Sequence, residues 1–361
     1  MRQVYDRVMT DPVDAILARF DDTLPLERAW TIPGEWYTDP RIAELERRRV
    51  FAHSWQLVGR TDQLAAPGAY VTAEVAGEPV LVVRGNDGAL RGFFNVCRHH
   101  AAAVMTAPCG VADRLRCPYH GWTYDLEGKL RGVPEFDGVE GFDKTTMGLA
   151  PLAVATWQQL VFVHLDPDPV PLVELQLDIA ALQFCERREY TLGCNWKVFV
   201  DNYLDGGYHV PHLHGDLASI LSHKDYTIET FERVCLQSSP ITSSSNALAR
   251  TGRALYYWIY PNLMLNWYEG YLDTNLVIPL GVDRVKVIFD FYFADVSEAA
   301  MPRNRESIAV SDKIQDEDHA ICESVQRGLR SRAYRAGRLS VRREAGENLF
   351  HKLLAADLRR R

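Results

Sequence analysis

The sequence predicts an α+β protein in which a small antiparallel β domain is inserted into a larger body that has its own antiparallel sheet. Two observations lead to this prediction. Residues 53–165 form short β-rich runs separated by glycine and proline, and the Pro-rich stretch at 167–172 marks where this region ends. Beyond it, residues 256–296 contain three further strand patterns in succession, and helical spacing is found near both ends of the chain.

Local patterns justify the elements in chain order. Two N-terminal segments have helical spacing, and each opens at a proline that follows an aspartate. In the β-rich region, Gly-Asn-Asp-Gly at 85–88 is typical of a hairpin tip. After the boundary, residues 195–209 predict a strand entry followed by a helix. The two N-terminal helical segments are 12–20 and 40–52. Two further helices are predicted at 302–330 and 343–360.

The composition is that of an ordinary globular protein. The chain has 361 residues, of which 47% are hydrophobic and 24% are charged. A formal charge of −8 gives no reason to expect a nucleic acid or an anionic membrane as partner, and no apolar run reaches the length of a membrane span. The N-terminus lacks the apolar stretch of a signal peptide. Seven cysteines, an odd number, do not indicate a disulfide framework, so we expect reduced thiols and a cytoplasmic location.

Two cysteine–histidine pairs stand close together in the β-rich region. Cys97-x-His99 and Cys117-x-x-His120 are separated by 17 residues. Thiolate and imidazole ligands suit zinc or an iron–sulfur centre. Zinc modules usually place cysteines in one pair and histidines in the other, whereas here each pair mixes the two. Mixed pairs suit a two-iron cluster in which two cysteines hold one iron and two histidines hold the other, with zinc as the alternative.

A second metal site is predicted from His209 and His214, which are five residues apart. On an unbroken helix that offset is roughly 140°, and the two rings would face apart. Pro211 lies between them and is expected to interrupt the helix, which would let both rings turn to one point. Two histidines with one carboxylate form the facial triad of non-haem Fe(II) oxygenases, which leaves coordination positions open for O₂.

These motifs resemble those of one family. The pattern C-x-H…C-x-x-H-G-W, from Cys97 to Trp122, resembles the Rieske [2Fe–2S] domain, and the whole chain resembles a Rieske non-haem iron oxygenase α-subunit. DNYLDGGYHVPH, residues 201–212, resembles the group that contains choline monooxygenase and related quaternary ammonium oxygenases. The resemblance implies a Rieske domain inserted in a helix-grip-like catalytic domain with a large antiparallel sheet. The implied bounds are 1–52 for the N-terminal helical part of the catalytic domain, 53–166 for the Rieske domain and 167–361 for the mononuclear iron domain.

The resemblance also assigns the ligands. It implies that the cluster is held by Cys97, His99, Cys117 and His120. It further implies that His209 and His214 bind the mononuclear Fe(II). For the third ligand, QDEDHAICE offers Asp316 and Asp318. In the family this ligand belongs to a Glu-Asp pair some five residues before a glutamate, which favours Asp318, with Glu323 as the later residue.

Asp205 precedes His209 by four residues, and a carboxylate there can accept the N–H of a ligating imidazole and fix its tautomer. In the family, the cluster and the iron of one chain are too far apart for fast electron transfer, and each Rieske domain docks beside a neighbour's iron in a C3 ring. The resemblance therefore implies a homotrimer in which Asp205 hydrogen-bonds a cluster histidine, His99 or His120, of the next subunit. It also implies that NAD(P)H supplies electrons through a flavin and iron–sulfur reductase, or through a ferredoxin.

An aromatic-rich segment at 256–272 bears on the substrate. Aromatic faces attract a desolvated quaternary ammonium, and each contact is worth about 0.5–2 kcal/mol. Strands also favour aromatic residues for packing alone, and WYEGY at 267–271 departs from the RYGPW that the choline-type pattern has before Asp-Thr-Asn. The residues predicted to line the substrate pocket are Trp258, Tyr260, Trp267 and Tyr271.

The sequence thus predicts a Rieske-type oxygenase that uses O₂ and reductase-supplied electrons. Its predicted reaction is the hydroxylation, or N-demethylation, of a small quaternary ammonium compound such as choline or a betaine. One alternative is an aromatic ring-hydroxylating oxygenase that acts on an aromatic acid. A Rieske electron carrier without catalysis is a further alternative, and the second histidine pair argues against it. Insertion of one or of two oxygen atoms is compatible with the sequence.

Overall fold

A computed structural model of the chain describes residues 12–243, 248 and 252–360. The chain divides into two compact units. One unit is formed by the middle of the chain, Arg47–Ala180. The other unit takes its residues from both ends, up to Glu46 and from Ala181 onward.

The middle unit is built from antiparallel strands. Its larger sheet has seven strands in the order β1-β10-β9-β4-β3-β2-β5, and its smaller sheet has three in the order β6-β7-β8. The strands are β1 (Gln56–Arg60), β2 (Ala69–Val75), β3 (Glu78–Arg84), β4 (Leu90–Phe94), β5 (Cys109–Val111), β6 (Leu115–Arg116), β7 (Thr123–Tyr124), β8 (Leu130–Gly132), β9 (Pro151–Trp157) and β10 (Leu160–His164).

The two faces of β3 enter two different hydrophobic cores. Leu81 and Val83 pack in a core that contains both Cys97 and Cys117, whereas Val80 and Val82 pack in a second core. Successive side chains of a strand point to opposite faces, so all four residues are buried although they are consecutive. The first core therefore buries both cysteine side chains beside the larger sheet.

The unit formed by the chain ends contains one large antiparallel sheet of seven strands, in the order β11-β17-β16-β15-β14-β13-β12. Its strands are β11 (Gln183–Leu192), β12 (Thr227–Thr230), β13 (Val234–Pro240), β14 (Arg253–Ile259), β15 (Leu263–Tyr268), β16 (Tyr271–Gly281) and β17 (Arg284–Phe293). The helices are α1 (Val13–Leu17), α2 (Gly34–Thr38), α3 (Pro40–Arg49), α4 (Trp196–Leu204), α5 (Val210–Leu213), α6 (Gly215–Ala218), α7 (Met301–Leu329) and α8 (Ala345–Arg359). Helices α4, α7 and α8 contact the sheet.

Helix α4 is anchored at its first turn. The side chain of Asn195 caps the helix by accepting the backbone N–H of Lys197. The ammonium of Lys197 lies 2.6 Å from one oxygen of Glu46, and the indole N–H of Trp196 donates to the other oxygen at 2.7 Å. All three side chains are buried, so the charge pair is kept out of water and its partners are fully engaged. This anchor fixes the helix that leads into the candidate metal site.

Two further observations concern the chain as a whole. Over the residues that the structure describes, no helix is long and apolar enough to cross a membrane. None of the seven cysteines, all of which lie among the described residues, is joined to another by a disulfide.

Candidate active site

The loops that begin at Cys97 and Cys117 have the same backbone design. In each loop the cysteine N–H donates to the carbonyl five residues later, at 2.8 and 2.9 Å. The cysteine carbonyl in turn accepts the N–H four residues later, which belongs to Ala101 or Gly121, at 3.0 and 3.1 Å. Both of these residues have a left-handed backbone, with φ of 60° and 72°. Two turns with matching backbone hydrogen bonds therefore carry the two cysteine–histidine pairs.

Within this unit the four predicted cluster ligands differ in their exposure to solvent. Cys97 and Cys117 are buried, while His120 is exposed and His99 is half-buried. The two imidazole rings lie 4.8 Å apart, between centroids. The Nδ1 atom of His99 is buried without a hydrogen-bond partner, and desolvation together with the neighbouring histidines lowers the pKa of this residue. A neutral imidazole with an unused ring nitrogen, beside two buried thiols, fits a metal cluster.

Two aromatic residues support these loops. The Trp122 ring stacks on His99 at 4.7 Å. The hydroxyl of Tyr124 accepts the backbone N–H of Arg98 at 2.9 Å and lies 3.4 Å from the Cys97 sulfur. Tyr124 was not identified from the sequence, and its position two residues after the H-G-W of the motif is the signal that could have found it. A hydroxyl at this distance from a thiolate is a hydrogen-bond donor that would stabilise the negative charge.

The second predicted site is assembled in the unit formed by the chain ends. Ligand atoms of His209, His214 and Asp318 all lie within 4.8 Å of one another. An oxygen of Asp318 is 3.1 Å from Nε2 of His214 and 3.9 Å from Nε2 of His209. Two imidazole nitrogens and one carboxylate oxygen therefore face one point, which is the donor set expected for non-haem iron.

Each histidine is oriented by a carboxylate on its other ring nitrogen. Nδ1 of His209 lies 2.6 Å from Asp205, and Nδ1 of His214 lies 2.7 Å from Glu317. Because an ionised carboxylate only accepts hydrogen bonds, each Nδ1 carries a hydrogen, and in the neutral imidazole the lone pair that can bind a metal is then on Nε2. Glu317 was not singled out from the sequence, although it is the glutamate of the Glu-Asp pair.

Asn202 is a further residue at this site that the sequence did not identify. Its side-chain amide donates to an oxygen of Asp318 at 2.7 Å. Because this residue is on α4 and Asp318 is on α7, the bond joins the two helices at the metal-binding point.

The backbone around the two histidines differs from the prediction. Helix α4 ends at Leu204, and the chain reverses at Gly206 and Gly207, which have φ of 68° and 66°. A Cβ atom at Gly206 would lie 2.1 Å from the carbonyl oxygen of Arg343, so no other residue fits there without movement. Pro211 does not interrupt a helix. It lies in the first turn of α5, where proline is tolerated because its missing N–H would be unbonded anyway.

The other candidate ligands lie elsewhere. Asp316 is exposed and does not belong to the group formed by His209, His214 and Asp318. His212 and His100, which are histidines next to the two motifs, are also exposed. His223 is bound to the guanidinium of Arg343 at 2.8 Å.

A cavity of about 110 Å³ opens beside the His209–His214–Asp318 group. Helix α7 contributes Ser311, Ile314, Gln315 and Asp318, whose spacing places them on one face of the helix. Sheet strands β13 to β17 form the opposite wall. The aromatic lining consists of Phe199, Tyr203, Tyr226, Tyr256, Tyr268, Tyr271 and Phe289.

Of the four aromatic residues predicted for the pocket, Tyr271 alone is part of this lining. Trp258 lies further along β14, where it packs against Phe350 of α8 at 5.5 Å and against Tyr260 at 5.8 Å. Trp267 points to the other face of β15, because the residues directly before and after it line the cavity and side chains alternate along a strand. Trp258, Tyr260 and Trp267 therefore do not line this cavity, and the prediction was wrong for them. It did not consider which face of the sheet each aromatic side chain is on, or how far along its strand the residue lies.

Comparison with known families matches both parts of the chain. Residues 54–143 match the Rieske [2Fe–2S] domain, and residues 179–359 match the catalytic domain of ring-hydroxylating α-subunits. The chain belongs to this family. As a Rieske-type oxygenase it uses a [2Fe–2S] cluster, a mononuclear iron and O₂, and it receives electrons from a separate reductase. The predicted family, α+β fold class and cofactors are thus confirmed, and the match to the catalytic domain excludes an electron carrier without catalysis.

Individual relatives of this oxygenase cover nearly the whole chain. It is 40% identical to chloroplastic choline monooxygenase of Arabidopsis thaliana over 96% of this chain and 87% of that protein. It is 32% identical to the carnitine monooxygenase oxygenase subunit of Acinetobacter pittii, over 85% of this chain and 87% of that protein. A solved quaternary ammonium Rieske monooxygenase matches with a TM-score of 0.84 and 29% identity, over 92% of this chain and 98% of that one.

Proposed function

We propose that this oxygenase hydroxylates a small quaternary ammonium compound at a carbon next to the nitrogen. One oxygen atom of O₂ enters the C–H bond, and the other leaves as water with two electrons from the reductase and two protons. When the carbon is an N-methyl group, the hydroxylated product breaks down to an aldehyde and a demethylated amine.

The aromatic cavity beside the metal-binding group is the observation that carries this proposal. Five tyrosines and two phenylalanines line a space of about 110 Å³, which suits a compact substrate. A quaternary ammonium cannot donate a hydrogen bond, and aromatic faces are the surfaces that bind it well. The names of the relatives support the same substrate class, since they include choline and carnitine monooxygenases.

We assign the metal sites to residues of this chain. In this proposal, Cys97, Cys117, His99 and His120 hold the cluster within residues 53–166, and His209, His214 and Asp318 hold the iron within the rest of the chain. When bound, the iron supplies the oxidising chemistry with O₂. Asp205 and Glu317 hold the two imidazoles in the tautomer that leaves Nε2 free, and Asn202 holds the carboxylate of Asp318. The aromatic lining excludes water from the substrate.

We further propose a homotrimer in which Asp205 links the two metal sites of neighbouring subunits. One oxygen of Asp205 accepts from His209, whereas the other accepts one backbone N–H at 3.1 Å and keeps a free lone pair. The exposed rim at His120 and Tyr119 is suited to dock against such an acceptor. The proposed reductase carries flavin and iron–sulfur groups and draws electrons from NAD(P)H, and the free thiols support a cytoplasmic location.

The cluster assignment predicts that Cys97→Ser purified from iron-supplemented cells lacks the Rieske EPR signal and the red-brown colour. Serine offers no thiolate to hold the iron, and the residue is buried, so no other ligand can replace it. Cys109→Ser is the matched control, because that thiol is exposed and outside the two loops. A full EPR signal in Cys97→Ser would show that the cysteine is not a ligand.

The substrate proposal is tested with a panel of compounds, the purified oxygenase and a generic reductase. O₂ uptake coupled to product mass is expected for small quaternary amines and not for aromatic acids such as benzoate. The product mass also shows whether one or two oxygen atoms enter. Coupled turnover of the aromatic acids alone would contradict the proposal and favour ring hydroxylation.

A further inference from the structure

A buried carboxylate forms part of the cavity wall without a cationic partner. Asp273 of β16 is 3% exposed. One of its oxygens accepts the side-chain amides of Asn266 and Asn275 at 2.8 and 2.7 Å, and the other accepts the hydroxyl of Tyr271 at 2.8 Å. All three donors are neutral, and no lysine, arginine or histidine of the described chain forms an ion pair with this residue.

A buried negative charge without a counter-ion is unfavourable even when it is hydrogen-bonded. Burial raises the pKa of Asp273 to about 6, against the lowering effect of the hydrogen bonds from Asn275, Tyr271 and Asn266. The carboxyl is therefore ionised at neutral pH, at a cost in free energy that a cation in the cavity would offset.

Apart from the metal-binding group, no side chain of the described lining can offset this charge. Among the described residues that line it, none is a lysine or an arginine. Asp318 also lines it, but its carboxylate is used at the metal-binding group. Asp273 is consequently the charged group of the wall that the metal site does not use.

The wall also holds an unused neutral donor. Gln315 is 2% exposed, it lines the cavity, and its side-chain nitrogen has no hydrogen-bond partner. An oxygen atom of a substrate would satisfy that nitrogen. A hydroxyl oxygen does so without bringing a second negative charge into the cavity that contains Asp273.

We propose that Asp273 is the counter-ion of the substrate's ammonium group, and that it makes the cavity select a substrate of net positive charge over a zwitterion. The inference rests on the proposed function and names the subclass of substrate. A quaternary amine with a hydroxyl tail adds one positive charge beside Asp273. A betaine adds a carboxylate as well, and the described lining has no lysine or arginine side chain to pair with it beside Asp273.

The test measures equilibrium binding by calorimetry to the metal-loaded enzyme. Three probes are compared: choline, glycine betaine, and 3,3-dimethylbutan-1-ol, in which carbon replaces the nitrogen of choline. The wild-type enzyme is expected to bind choline at least about tenfold more tightly than either of the others, which corresponds to about 1.4 kcal/mol. Asp273→Asn keeps the shape and removes the charge, so choline should lose about tenfold in affinity while the uncharged alcohol loses nothing.

Asp290→Asn is the matched control. Asp290 is buried on the adjacent strand β17, but its carboxylate is paired with Arg187 and does not line the cavity. Its ratio of choline to betaine affinity should equal that of the wild type, and thermal melting of both variants reports on folding. If Asp273→Asn does not fold, the affinities of the wild-type enzyme for choline, glycine betaine and the uncharged alcohol test the proposal by themselves.

The outcomes separate the two proposals. Betaine that binds the wild type as tightly as choline, or a choline affinity that Asp273→Asn leaves unchanged, would overturn the role of Asp273 and leave quaternary ammonium oxygenation standing. Failure of both ammonium compounds to bind the wild type would overturn the proposed function, and the role of Asp273 with it.

Discussion

Asp205→Asn is expected to yield an oxygenase with a normal content of both metals and almost no turnover. Asparagine has nearly the shape of aspartate, so the turn at Gly206 and Gly207 and the position of His209 should be kept. The substitution removes a charged acceptor that lies 2.6 Å from Nδ1 of His209. Loss of such a partner costs about 10–100-fold in activity where it only orients a ligand. We expect Asp205→Asn to lose activity by about 100-fold or more, because the same carboxylate also joins the two metal sites in the proposed trimer.

Single-turnover measurements separate electron transfer from chemistry. Reduced Asp205→Asn with substrate and O₂ should reoxidise very slowly, while its Rieske EPR signal and iron content match those of the wild type. Asp216→Asn is the matched control, since Asp216 is on the neighbouring helix α6 and its carboxylate binds Lys313 at 2.7 Å. Reoxidation at the wild-type rate in Asp205→Asn would leave Asp205 with an orienting role alone.

Asp318→Ala is expected to lose the mononuclear iron and all oxygenation while the cluster signal is retained. The variant removes the only carboxylate of the proposed triad. We expect the loss of iron affinity to exceed the roughly 100-fold that follows removal of a residue that merely supports a ligand. His214 should stay in place because Glu317 still binds its Nδ1, so the fold should be preserved.

Asp316→Ala tests the choice between the two acids on the same helix. Asp316 is exposed, and two residues along a helix correspond to a rotation of about 200°, which turns its side chain away from the histidines. Iron analysis of both variants, normalised to cluster content, should show a loss in Asp318→Ala alone. Iron loss in Asp316→Ala with retention in Asp318→Ala would reverse the assignment.

The fold could be predicted where the sequence pattern is local. Gly-Asn-Asp-Gly at 85–88 lies between β3 and β4, as a hairpin tip should. The alternating run from Arg284 is β17, and the periodic segment near the C-terminus is α8. The pairing of β11 with β17 could not be predicted, because the two strands are far apart in sequence and no local signal specifies such a partner.

The site was predictable to the extent that its chemistry depends on residue type. Cysteine and histidine are uncommon enough for their spacing to be informative, and the structure brings His209, His214 and Asp318 together. Glutamate, asparagine and tyrosine occur throughout any globular chain, so residue type alone did not distinguish Glu317, Asn202 or Tyr124. Tyr124 and Glu317 could have been found only from their places next to the H-G-W motif and in the Glu-Asp pair, and Asn202 only from its contact with Asp318. The turn was misjudged for another reason. The left-handed backbone is at Gly206 and Gly207, whereas the prediction placed the break in the helix at Pro211.

The two walls of the cavity belong to different elements. The metal-binding residues lie on α7 and on the segment that follows α4, whereas much of the aromatic lining lies on strands. Substitutions at strand positions such as Tyr256, Asn266 or Tyr268 would therefore change what is bound and leave the oxidative machinery as it is. The choice of substrate and the binding of the metal are therefore assigned to separate parts of the chain. Laboratory evolution can use this separation, with a mutant library confined to β14 and β15 and screened for growth on new amines as nitrogen source.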